Sequence, residues 1–140
     1  MTLPSGLSIQ VGAYSFKAVL LHERAPRSCE AFLDLLPMRE QIIHVRWSGE
    51  AMWIPFGEAH VSVPWEDPTS YPPPGQFLLY PGGVSEMEIL LPYGACQFAS
   101  KAGQLAGNPF AQITEGAEQL YELGRHVLYA GVQEIRVEAE

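Results

Sequence analysis

Apolar and polar residues alternate in short runs along most of this chain, and a period of two predicts strands. Leu7 to Val11 and Tyr14 to His22 alternate on either side of Gly12-Ala13, which predicts an opening β-hairpin. The period then changes. In the run from Ala25 to Pro37, Cys29, Phe32, Leu33 and Leu36 recur at helical spacing. Ser28 is placed to cap the first turn, Glu30 suits the positive helix N-terminus, and Pro37 stops the helix.

The stretch Ile42 to Phe56, IIHVRWSGEAMWIPF, returns to strand alternation around Ser48-Gly49. With those two residues as the turn, Trp47 opposes Glu50, Arg46 opposes Ala51 and His44 opposes Trp53. That pairing sorts Ile43, Val45, Trp47, Met52, Ile54 and Phe56 to a core face, and His44, Arg46 and Trp53 to the outer one. A proline-rich segment from Gly57 to Gly75 follows, with His60 to Val63 as a short edge strand and with Trp65 and Tyr71 packed down, as a folded-over loop of the kind that covers a site. Beyond it, Gln76 to Tyr80 and Met87 to Pro92 read as strands around Pro81-Gly82-Gly83. Ala111 to Thr114 is a strand, Ala117 to Leu123 a short helix ended by Gly124, and Gln133 to Val137 a closing strand.

Composition narrows the class. A chain of 140 residues with 47% hydrophobic content suffices for one domain with a real core. Its net charge of −8, with only Lys17 and Lys101 as lysines, argues against nucleic-acid or anionic-membrane partners. No stretch approaches the length of a membrane span and no signal-like segment opens the sequence, so a cytoplasmic location is expected. Cys29 and Cys96 are expected to be reduced thiols.

Two segments carry a family resemblance. Ala25-Pro26-Arg27-Ser28-Cys29-Glu30-Ala31-Phe32 resembles the Ala-Pro-Lys-Thr-x-x-Asn-Phe that opens the first cyclophilin helix, and Asn108-Pro109-Phe110-Ala111-Gln112-Ile113-Thr114-Glu115-Gly116 is similar to that family's late strand and glycine. The cyclophilin Phe-His-Arg and Gln-Gly-Gly-Asp segments are missing, His44-Val45-Arg46 being the nearest string. A fuller likeness lies in Trp47 to Pro55 and Pro74 to Gly83, which resemble the DUF3830 family of small bacterial cyclophilin-like proteins of unknown function. Both resemblances imply a mainly β fold with two short helices, a closed cyclophilin-like β-barrel, and ligand binding on its outside. Neither supplies an activity.

The candidate chemistry therefore rests on residue types. His44 can move a proton and Arg46 can hold a carboxylate or polarise a carbonyl, with Trp53 beside them; a solvated outer strand face would look the same. Glu86, with Glu88, follows the glycine turn and could meet Glu50 if the hairpin ends converge, although acidic turns are ordinary in so acidic a chain. Tyr80 is placed as a further wall of that groove. Tyr93, Cys96 and Lys101 put a phenol, a thiol and an amine in one segment; Lys101 serves as a base if buried or holds the loop by pairing with a carboxylate, and Cys96 reads as a small core residue before a nucleophile. Asn108, the only asparagine, either makes a turn before Pro109 or orients a ligand through its amide. The four histidines are scattered without metal-ligand spacing, and no phosphate loop, dinucleotide fingerprint or nucleophile elbow is present, so no metal or cofactor is expected.

Three functions follow as expectations. The first is a barrel that binds, and by acid–base chemistry turns over, a small polar amide or carboxylate in an outer groove, with His44, Arg46 and Glu86 as the reacting groups and Trp53, Tyr80, Tyr93, Lys101 and Asn108 as ligand contacts. The second is a peptidyl-prolyl isomerase using Arg46. The third is a homo-oligomeric scaffold joined through the loop from Trp65 to Tyr71.

Overall fold

The alternating segments pair into one closed antiparallel barrel in the computed structural model, which describes residues 4–140. Its strands are β1 (Gly6–Val11), β2 (Tyr14–Leu20), β3 (Met38–His44), β4 (Gly49–Pro55), β5 (Gln76–Tyr80), β6 (Glu88–Cys96), β9 (Asn108–Glu115) and β10 (Gln133–Ala139). Around the barrel they run β1-β10-β3-β4-β6-β5-β9-β2. Two short strands, β7 (Ala99–Ser100) and β8 (Gly103–Gln104), make a separate hairpin outside. No helix among the described residues is long and apolar enough to cross a membrane.

Closure removes every sheet edge and turns alternate residues inward. Ile9, Val11, Phe16, Met52, Ile54, Phe77, Leu79, Ile89, Leu91 and Phe110 fill the interior. Helix α1 (Pro26–Leu33) covers one end, with Phe32 against Phe110 at 4.7 Å between ring centroids. Helix α2 (Leu120–Ala130), entered through a 3₁₀ turn at Ala117–Gln119, covers the other with Leu120, Leu123 and Val127. The connections require opposite ends: α1 leads into β3 at Met38, whereas α2 leads into Gln133, which pairs with Ile42 near the far end of β3.

Both helices depart from expectation for a packing reason. Gly124 does not end α2, which runs on to Gly131 at φ 95°. A side chain at Gly124 would enter the Tyr93 ring, so the glycine serves close approach of helix and barrel. In α1, Ser28 does not cap its own helix. The Glu66 carboxylate, from the proline-rich loop, accepts hydrogen bonds from Arg27 N (3.0 Å), Ser28 N (2.8 Å) and Ser28 Oγ (2.8 Å), placing a negative charge where the helix end is positive.

That loop forms no strand at His60 to Val63. Val61 and Val63 nevertheless pack on the core, and Thr69 bridges to Gly107. Trp65 and Tyr71, expected to pack down, are 59% and 63% exposed.

The central hairpin is shifted by one residue from the expected register. Ile43 lies opposite Trp53 and His44 opposite Met52, and Val45 N donates to Ala51 O at 3.1 Å. Between Val45 and Ala51 lie Arg46 to Glu50, an odd number of residues instead of the even number expected, so side chains on β3 change faces relative to β4. Two attachments draw the loop out. Gly49, at φ 96°, pairs with Cys96, where a Cβ would sit 2.7 Å from Ala95 O. Ser48, 3% exposed, donates to Ala99 O (3.1 Å) and accepts from Ala99 N (3.0 Å).

Candidate functional site

The register decides what stands outside the barrel. Met52, Ile54, Ile89 and Leu91 point in, so Ala51 and Trp53 on β4 and Glu88 and Leu90 on β6 point out. There Ala51, Leu78, Tyr80, Leu90, Phe98 and Leu105 form a second apolar cluster, with Val45, Trp53 and Cys96 packed on it. The small hairpin springs from this cluster, with Phe98 just before it, Leu105 just after it, and Leu105 N donating to Phe98 O at 2.9 Å. Phe98 is fully buried, edge-on to Tyr80 at 5.9 Å, and is anchored by Phe98 N to Ser70 O (2.7 Å).

Where the hairpin, the β3–β4 loop and the β5–β6 turn meet, they leave a cavity of about 190 Å³. Arg46, Trp47 and Ser48 line it from the loop, Trp53 from β4, Ser85 and Glu86 from the turn, Glu88 from β6, and Ser100 and Lys101 from the hairpin. Glu88 is 5% exposed, flanked by Pro55 on β4 and Tyr80 on β5. Burial, then the nearby charge of Glu86, pushes its carboxyl up to about 8, so it is mostly protonated at neutral pH. Burial and the neighbouring Glu88 push the Cys96 thiol up to about 11, which removes its nucleophilic form.

Arg46 and Lys101 enter none of the ion pairs among the described residues, which are Lys17–Glu140, Arg24–Asp67, Arg39–Glu134 and Arg136–Glu134. The expected pairing of Lys101 with a carboxylate is therefore absent, and the Arg46 guanidinium instead lies 5.6 Å from the Trp47 ring centroid. With Glu88 mostly protonated, Arg46 and Lys101 line the groove beside Glu86.

Of the residues singled out in the sequence, the cavity collects Arg46, Trp53, Glu86 and Lys101. His44 and Tyr93 lie elsewhere, on the inner side beneath α2. His44 Nδ1 donates to Val45 O at 2.8 Å, which leaves Nε2 to accept from the Tyr93 hydroxyl at 2.7 Å. Tyr93 also packs edge-on to Tyr121, and burial raises its pKa, keeping the phenol a donor. Tyr80 borders Glu88, but its hydroxyl accepts from Val84 N (3.1 Å) and Ser85 N (3.3 Å), so it pins the turn that carries Glu86. Asn108 is fully buried in β9, accepting from Glu66 N (3.0 Å) and donating to Ser28 Oγ (3.0 Å) and Pro64 O (2.9 Å). It ties the loop to α1, and both atoms of its amide are engaged there. Glu50 accepts from Ala95 N at 2.9 Å, outside the cavity. No group of three or more metal-ligating side chains occurs among the described residues.

Glu88 is the residue that sequence reasoning passed over in favour of Glu86. A signal existed: Glu88 interrupts the apolar run from Met87 to Pro92, and a charge inside a strand paired on both sides has to be buried or functional.

Structural neighbours agree with the barrel. McbB, in a complex with tryptophan, superposes with a TM-score of 0.74 at 19% identity over 96% of this chain and 44% of its own, so the chain spans less than half of McbB. The hypothetical protein AF2241 from Archaeoglobus fulgidus gives 0.63 at 14% identity over 100% of this chain and 98% of its own. A Cryptosporidium parvum cyclophilin-type peptidyl-prolyl cis-trans isomerase, in the presence of the dipeptide Ala-Pro, gives 0.61 at 14% over 96% and 98%. Identities this low establish a shared cyclophilin-like fold. Comparison with curated proteins returned no match. Over residues 7–139 the sequence matches DUF3830, described as a protein of unknown function, and the chain belongs to that family.

Proposed function

We propose that the outer groove binds a small polar metabolite bearing a carboxylate or amide, and that Glu88 is the group there able to take up or release a proton. The observation that carries this reading is the convergence of unpaired Arg46 and Lys101 on a cavity floored by the buried, mostly protonated Glu88. Arg46 offers a planar pair of donors to a carboxylate and Lys101 a point charge. Trp53 gives the ligand an apolar wall. A protonated carboxyl can donate a hydrogen bond to a carbonyl and then a proton, the division of labour in which environment, not residue type, makes an acid. The cavity lies below the roughly 300–1,000 Å³ of drug-sized sites, which suits a ligand of few heavy atoms.

Thermal-shift screening with small acids and amides tests the proposal. Ligands that raise the melting temperature should lose their effect in Arg46→Ala and Lys101→Ala, and an unchanged shift in both variants would sink it.

One observation supports a second reading, a homo-oligomeric scaffold: Trp65 and Tyr71 are exposed on a firmly anchored loop. Light scattering at micromolar concentration that reports a monomer would remove this reading and leave the groove untouched.

A further inference from the structure

We infer that the ligand of the groove is dipolar, carrying an ammonium group held by Glu88 and Glu86 as well as a carboxylate held by Arg46 and Lys101, as an amino acid does. The inference rests on the proposal that the groove is a binding site and narrows its ligand class.

The geometry points to it in three ways. Both signs of charge line one cavity: Arg46 in the β3–β4 loop and Lys101 at the hairpin tip, Glu86 in the turn and Glu88 on the floor. Yet no nitrogen of either cation comes within 4.0 Å of a carboxylate oxygen. Opposite charges lining a small cavity without closing on each other leave a gap that a ligand with matching ends fills. Finally, Glu88 is 5% exposed, flanked by Pro55 and Tyr80 on the neighbouring strands, and lines the cavity. An ammonium entering the cavity brings three donors to that carboxyl. Trp53, which lines the same cavity, supplies an aromatic ring of the kind that attracts a cation.

Binding then has a proton signature. An ammonium beside Glu88 favours its carboxylate, so the proton that Glu88 carries at neutral pH leaves to the buffer when the ion pair forms. The groups facing Glu88 do not obscure this. Pro55 on β4 does not titrate, the Tyr80 hydroxyl on β5 is engaged by Val84 and Ser85, and Cys96 further along β6 keeps its proton. Glu86 in the turn, Lys101 on the hairpin and Arg46 in the loop are the remaining charged neighbours, and the groove contains no histidine.

Isothermal titration calorimetry of the intact chain at pH 7, in phosphate and in Tris, tests the inference. The probes are L-alanine, L-leucine and L-phenylalanine, each beside its deaminated acid and its decarboxylated amine. The amino acids should bind at least tenfold more tightly than either singly charged analogue and release close to one proton, whereas Glu88→Gln should bind without release. The comparison of buffers on the unaltered chain decides the matter even if that variant folds poorly. Deaminated acids binding as tightly as the amino acids, with no proton released, would overturn the dipolar ligand and leave the groove proposal standing. Binding of no probe, or binding indifferent to Arg46→Ala and Lys101→Ala, would overturn both.

Discussion

The Tyr93 hydroxyl donates to His44 Nε2 across 2.7 Å, on the inner side of the barrel beneath α2. This bond fixes the imidazole in its Nδ1–H form and takes it away from the outer groove. Both ring nitrogens are thereby held by neighbours within the barrel. Tyr93→Phe should lower stability by about 1–2 kcal/mol, since the part-buried Nε2 loses its donor. Urea denaturation measures that loss, and the thermal shift produced by any groove ligand should be unchanged in the variant. A ligand shift abolished by Tyr93→Phe would return His44 to the site.

Glu88 makes stability depend on pH with a definite sign. Its carboxyl is raised to about 8 in the folded chain against 4.5 for the free group, so the folded state holds a proton that the unfolded state has released. At pH 4 both states are protonated and the group contributes nothing. Between about pH 4.5 and 8 stability falls as pH rises, by a few kcal/mol in total, and it levels off above. Urea denaturation from pH 5 to 9 should show this decline, and Glu88→Gln should flatten it. Equal slopes in the two proteins would mean that Glu88 titrates normally.

Much of this architecture was legible in the sequence, and the failures have local causes. Alternation found the barrel strands because one face of each is buried. It misjudged the central hairpin because a loop's parity depends on contacts from afar, here Gly49 with Cys96 and Ser48 with Ala99. That single slip misplaced His44 relative to Trp53. Arg46, Glu86 and Lys101 line one cavity because they lie in loops that meet there, a convergence that sequence separation left open, whereas the polar atoms of Asn108 and Tyr80 are engaged by neighbours invisible in sequence.

Gly124 offers a test in which two effects oppose. Alanine is favoured over glycine by about 1 kcal/mol inside a helix. At this position, however, its methyl group would enter the space of the Tyr93 ring, and overpacking typically destabilises by about 1–3 kcal/mol. Sterics should win. Gly124→Ala is expected to melt below the unaltered chain, and a smaller penalty for the same substitution in a Tyr93→Ala background would identify the ring as the cause.

Glu66 should hold the proline-rich loop and α1 together. Its carboxylate takes three donors from Arg27 and Ser28 while its own N–H is held by Asn108. Glu66→Ala leaves those donors without a partner in a part-buried site, a loss of about 3 kcal/mol. Limited proteolysis should then cut between residues 57 and 75 faster than in the unaltered chain. Cleavage at the original rate would show that Thr69–Gly107 and the Val61 and Val63 contacts suffice to hold the loop.

The barrel shared with a prolyl isomerase invites an assay whose expected result is negative. Catalysis of proline isomerisation needs an apolar seat for the ring and a cation at the prolyl nitrogen. In this chain Arg46 stands beside Trp47 in a cavity with Glu86, Glu88 and Lys101, where the polar lining suits a charged ligand over a proline ring. The His44 that follows the cyclophilin order points under α2 instead of joining Arg46. A protease-coupled assay with a proline-containing peptide should therefore give the slow rate of uncatalysed exchange, tens to hundreds of seconds at about 25 °C. Acceleration that disappears in Arg46→Ala would show that this groove accepts proline after all, and the charged ligand would have to be abandoned as its natural occupant.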